Sequence, residues 1–174
     1  ADRTLGPAYF YVGMKKVRSD QTSAIRPAPK TELELVNDFA VSFKSCLSQS
    51  AKRVRWLAAI KRLESDRNFE EMDLGRLLEL EDNIAVEKAH AMASRMSSGH
   101  SIVLLTITLL VDAVEEKTLV LLDEPESHLH PPLLSAFTRA LSDLLYARNG
   151  VAIVATHSPV VLQEVPRSCV WKLM

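Results

Sequence analysis

The chain has 174 residues, enough for one domain or one domain with a helical extension. Hydrophobic residues make up 47% and charged residues 25%, with a net charge of −1, so there is material for a core and no global basic field to advertise nucleic acid or an anionic membrane. Two cysteines far apart, Cys46 and Cys169, argue against a disulfide scaffold and for a reducing compartment such as the cytoplasm.

In chain order, Ala8 to Gly13 reads as an aromatic and β-branched strand. A loop carrying Lys15, Lys16, Arg18, Arg26 and Lys30 follows. Thr31 with Glu34 makes a capping box, from which a helix is predicted to reach about Leu63, with a break near Ser48–Ser50. Leu35, Phe39, Phe43, Cys46, Leu47, Val54, Leu57 and Ile60 fall roughly on one face. Ser65-Asp66 looks like a turn. Residues 69–96 show weaker helical periodicity in Leu74, Leu77, Leu78 and Met92, interrupted by Gly75. Residues 14–95 therefore read as a basic loop and a helical arm, packed on itself and apart from any sheet.

From residue 96 the character changes. His100–Val114 predicts a helix apolar nearly all round, hence buried. Its apolar run, Ile102–Val111, is half the ~20 residues a membrane span needs. A buried strand at 118–122 ends in Asp123-Glu124. Pro131-Pro132 starts a helix with Leu134, Phe137, Leu141 and Leu145 inward, and Asn149-Gly150 closes it. Val151–Ala155 reads as a second buried strand, and Cys169–Met174 as a strand that stops abruptly. Strands alternating with helices predict an α/β lobe over 96–174 with a parallel sheet.

Three short segments carry chemistry. A strand tip bearing Asp123 and Glu124 offers one hard oxygen ligand for Mg²⁺ and one base for a water. The alternative is that Asp123-Glu124-Pro125-Glu126 is simply a solvated turn after a strand. His157 stands past the second strand as Asp123 does past the first, and strand C-terminal tips line the ligand crevice of parallel sheets. By itself it is a turn histidine before Ser158-Pro159. Ser97-Ser98-Gly99 opens a helix, where N–H groups and hydroxyls attract anions, or where a serine simply caps. The consecutive order of anion cap, helix, acid-tipped strand, helix and histidine-tipped strand raises the functional reading of all three.

That series resembles the second half of an ABC-type ATPase head, and more narrowly the AAA/RecF/OLD-like branch that includes the SMC and Rad50 proteins. Ser97-Ser98-Gly99-His100 is similar to the signature motif, Leu119–Glu124 to Walker B with its glutamate, and His157 to the switch histidine. Transporter heads continue Ser-Ala-Leu-Asp, whereas this chain has Ser127-His128-Leu129-His130. Its Glu-x-x-Leu-His-Pro form resembles OLD-like and anti-phage defence ATPases of the Septu and retron-associated type.

The resemblance implies ATP and Mg²⁺ as cofactors, with Asp123 holding the ion through water, Glu124 as general base and His157 on the γ-phosphate. It implies that Ser97, Ser98 and Gly99 complete a site on a second subunit of a homodimer, with Ser127, His128 and His130 in the dimer loop. The 8–13 strand would belong to the same head. No Gly-x-x-x-x-Gly-Lys-Ser/Thr loop occurs in the chain, so the P-loop is expected upstream of residue 1 and the piece alone is expected to be inactive. The partner coupled to nucleotide state would be DNA or a defence effector, with no membrane role. The competing reading is a non-hydrolysing, ATP-gated clamp that controls a nuclease or toxin.

Two further readings stand beside this one. His128, His130, Asp123, Glu126 and His157 offer ligands for a transition metal. Lys52, Arg53, Arg55, Lys61 and Arg62 around Trp56 offer a nucleic-acid face, or the solvated side of an amphipathic helix with Trp56 inward.

Overall fold

The computed structural model describes residues 15–16, 28–29 and 31–172, without the side chains of the first four, Glu32 or His128. The expected strand at 8–13 lies outside the described residues. Within the basic loop, β1 (Lys15–Lys16) pairs antiparallel with β2 (Ala28–Pro29). The helices that follow are α1 (Glu32–Leu47), α2 (Ser50–Leu63), α3 (Arg67–Met72), α4 (Asp82–Ala93) and α5 (Ser98–Ala113). Then come β3 (Leu119–Asp123), α6 (Pro131–Tyr146), β4 (Val151–Ala155) and α7 (Pro159–Glu164). The fold is mixed α/β, mostly helical with a small parallel two-stranded sheet, and is compatible with a partial ATPase head.

Local chemistry sets the helix limits. The Thr31 hydroxyl accepts from the Glu34 N–H while the Glu34 carboxylate accepts from the Thr31 N–H at 2.8 Å, so two orphan donors are satisfied at once. The break expected near Ser48–Ser50 separates α1 from α2, with Gln49 extended. It resets the helical phase, so Val54 points outward at 68% exposure and Leu57 is half-buried, while the other predicted face residues are buried. Leu74–Glu79 winds as a 3-10 helix, in which Leu74 and Leu77 lie on one side and are both buried. At the end of α6, Asn149 takes the left-handed conformation (φ 49) and Gly150 N–H donates to Leu145 C=O at 2.8 Å.

The helical segment does not stand apart from the lobe. α1 packs along α5 and α2 along α6, and residues from all four share one hydrophobic core. Trp56, Ile60 and Leu63 of α2 are fully buried in it. Trp56 Nε1 donates to the Thr108 hydroxyl of α5 at 2.9 Å, which accounts for a threonine inside the apolar run. Lys52 Nζ lies 2.6 Å from Asp112 Oδ1, which also accepts from Ser45, tying α1, α2 and α5 together. Cys46 sits under this junction, its thiol pushed up to about 12, chiefly by burial and then by the charge of Asp112. It is inert as a nucleophile.

β3 and β4 run parallel in direct register, Leu119 opposite Val151 through Asp123 opposite Ala155. The expectation that both strands are buried is half right. Val120 is buried and Leu122, Ala152 and Val154 pack against the core, but Leu119, Leu121, Val151 and Ile153 are 57–69% exposed. Helices cover one face of this two-stranded sheet, and among the described residues nothing covers the other. The end of the chain is not a strand over its described part: Arg167–Cys169 is a 3-10 turn.

Candidate nucleotide site

The direct register of β3 and β4 brings their C-terminal tips together. Asp123 ends β3, and Glu124 follows in the left-handed region (φ 44, ψ 56), a conformation that a non-glycine residue adopts only at a cost. Its N–H donates to Ala155 C=O at 2.9 Å, extending the ladder one step. The turn throws the Glu124 side chain toward the other strand tip, where Oε1 lies 3.2 Å from His157 Nε2. Both side chains remain open to solvent, at 52% and 88% exposure. The structure therefore unites two residues 33 positions apart that were assigned to one site.

Glu126 holds this arrangement in place. Its Oε1 accepts from the Thr156 hydroxyl at 2.8 Å and from the His157 N–H at 2.7 Å. Burial works to raise the Glu126 carboxyl. Hydrogen bonds from its own N–H, the Thr156 hydroxyl and the His157 and Ser158 N–H groups outweigh it and hold the carboxyl below its usual value. Sequence reasoning set Glu126 only among possible metal ligands. Ser127 closes the acidic turn by donating from Oγ to Glu124 C=O at 3.0 Å.

Asp123 is exposed, and its carboxylate has no hydrogen-bond or ion-pair partner among the described residues. A free hard-oxygen donor at a strand tip fits Mg²⁺, which keeps most of its waters. Ser97 and Ser98 are exposed and Gly99 is buried at the start of α5. Ser97 is the N-cap residue, yet its side chain makes no cap hydrogen bond, because Oγ lies 2.6 Å from His100 Nδ1 instead. The first-turn N–H groups of α5 therefore have no cap from Ser97. No hydrogen bond or ion pair among the described residues joins Ser97–Gly99 to the strand-tip group.

Two expectations need revision. The proposed metal set does not assemble: His130 lies against Asp66 and His100, while His157 lies against Glu124. The basic run on α2 is not one face. Lys52 is buried against Asp112, and Arg53 bonds Asp82 and the Leu78 carbonyl. Arg55 is half-buried, and Lys61 and Arg62 are exposed, with Arg62 paired to Asp143.

A family profile described as "AAA domain, putative AbiEii toxin, Type IV TA system" matches residues 36–163, well over half the chain and all of the strand-tip site. The chain belongs to this family. The family is of the ATPase-type AAA kind, and the match, which begins at Val36 within α1, takes in α2 and α5 as well as the strand tips. The chain is also 50% identical over 190 aligned residues to protein ea59 of Escherichia phage lambda, covering 99% of this chain and 35% of that protein. It thus spans about a third of the length of this relative. No solved structure matches. Among the described residues of this AAA-domain chain, no helix is long and apolar enough to cross a membrane.

Proposed function

We propose that the chain is the Walker B, signature and switch-histidine half of an ABC-type head, within the RecF/OLD/SMC branch of these ATPases. It hydrolyses ATP in a two-subunit sandwich, with the P-loop supplied by an upstream part of a longer protein. The observation that carries this reading is the 3.2 Å approach of His157 to Glu124 across neighbouring strand tips. Bound Mg²⁺ supplies charge neutralisation at the phosphates. Asp123 would hold the ion. Glu124 accepts a proton from the attacking water, and His157 orients Glu124 and reaches the terminal phosphate. Ser97, Ser98 and the open N-terminus of α5 contact the phosphate of the opposing subunit. Ser127, His128 and His130 lie in the loop that meets that subunit. A defence effector or DNA is the proposed partner coupled to this cycle, and the toxin named in the family description is in keeping with an effector.

An intact Glu124 favours hydrolysis over a static clamp. Replacing it with Gln in the full-length protein keeps shape and removes the base. ATP turnover is expected to fall by at least ~100-fold while nucleotide binding persists. Turnover near wild type in a steady-state phosphate-release assay would falsify the base assignment.

A further inference from the structure

Away from the strand tips, three residues from three elements converge. Asp66 caps α3, accepting from Asn68 N–H at 3.0 Å. His100 lies in the first turn of α5, and His130 caps α6. Asp66 Oδ1 is 3.1 Å from His100 Nε2, and Asp66 Oδ2 is 3.7 Å from His130 Nε2. One donor atom from each residue falls within 4.8 Å of the others. Asp66 and His100 are almost wholly buried, with side-chain exposures of 5% and 7%, while His130 is 48% exposed. Among the described residues no lysine or arginine pairs with Asp66, so the buried carboxylate faces the two imidazole nitrogens and the Asn68 N–H it caps.

We propose that Asp66, His100 and His130 bind one first-row transition-metal ion, Zn²⁺ by preference. Two imidazoles beside a carboxylate suit zinc, whereas magnesium prefers oxygen donors alone, which separates this site from the one at Asp123. Zinc bonds of ~2.0–2.1 Å in a tetrahedron hold donors about 3.3 Å apart. The Asp66–His100 pair is already at that spacing. His130, the exposed member, makes the inward movement and gives up the long 3.4 Å bond its Nδ1 accepts from Leu133 N–H. The exposed Asn68 amide, 3.1 Å from His100 Nε2, turns aside. The supporting groups are in place: Ser97 Oγ at 2.6 Å fixes the far nitrogen of His100, and the Phe69 ring lies 5.4 Å from the imidazole as an apolar wall. The fourth position opens past His130 to solvent. The ion would pin the start of α5 to the loop before α6, so both would move as one piece with the α2–α3 turn.

The test uses the full-length protein stripped with EDTA and titrated with Zn²⁺ alone, against a chromogenic chelator and by calorimetry, without nucleotide. The proposal therefore stands or falls apart from the ATPase reading. One zinc per chain at this site is expected, undisturbed by excess Mg²⁺. His130→Ala and Asp66→Asn should weaken it roughly 10-fold or more. His130 is exposed enough for its variant to fold, which circular dichroism checks, so that variant decides if Asp66→Asn does not fold. Co²⁺ should give tetrahedral visible absorption in the wild type and lose it in His130→Ala. No stoichiometric zinc, or equal affinity in wild type and His130→Ala, overturns the site and leaves a helix-capping carboxylate hydrogen-bonded to His100, with His130 nearby at 3.7 Å.

Discussion

Glu126 shows how one side chain can serve both the fold and the site. Its carboxylate is lowered below the ordinary range because the bonds from Thr156, His157 and Ser158 outweigh burial. A lowered folded value means that the charged form binds the fold. The stabilisation is present above the unfolded value of about 4.3 and is lost as pH falls through the lower folded value. Glu126→Gln should therefore lower the urea midpoint at pH 7, with the gap to wild type narrowing as pH drops below about 4. A gap that stays constant from pH 7 to pH 3 would show that the charge contributes nothing. Residues of this kind are hard to see in a sequence. Asp123, Glu124 and His157 announced themselves by position at two strand tips. Glu126 looked like one more acid in a turn, and Asp66 like a plain turn residue, because what defines each is a partner about 30 residues away.

Among the elements, helix starts were the most legible, since Thr31-Glu34 and Pro131-Pro132 place their own signals within four residues. The 3-10 helix was harder, because Leu74 and Leu77 suit an α-helix as well, and only Gly75 warned against one. Strand burial was not legible at all in Leu119, Leu121, Val151 and Ile153, because it depends on layers that a strand's own residues do not encode. The join between α6 and β4 gives a sharp test. A Cβ on Gly150 would lie 2.9 Å from Leu145 Cδ2 and 3.2 Å from Thr118 C=O, a backbone atom that cannot swing away. Gly150→Ala should cost roughly 1–3 kcal/mol, as overpacking does, and lower the thermal midpoint. An unchanged midpoint would mean that Leu145 and the Thr118 turn both give way freely.

For the whole molecule, the helices expected to form a separate arm instead wall one side of the lobe, and the shared core of α1, α2, α5 and α6 leaves no seam between them. The proposed sandwich can be tested at this scale. Mixing full-length Ser98→Arg and Glu124→Gln proteins puts both lesions on one composite site of the heterodimer and leaves the other intact. Activity should reappear in the mixture, toward half that of wild type per dimer. If confirmed heterodimers are no more active than either parent, Ser98 does not act in trans. The left-handed backbone at Glu124 bears on the history of such a protein as well as on its chemistry. Holding a glutamate there costs the fold roughly 1–2 kcal/mol that glycine would not. On the proposed reading, mutational drift in a lineage relieved of the need to turn over ATP would run downhill toward glycine at 124. A paralogue that had become a passive switch should then be found slightly more thermostable than its active ancestor, with its inactivity written first at this position.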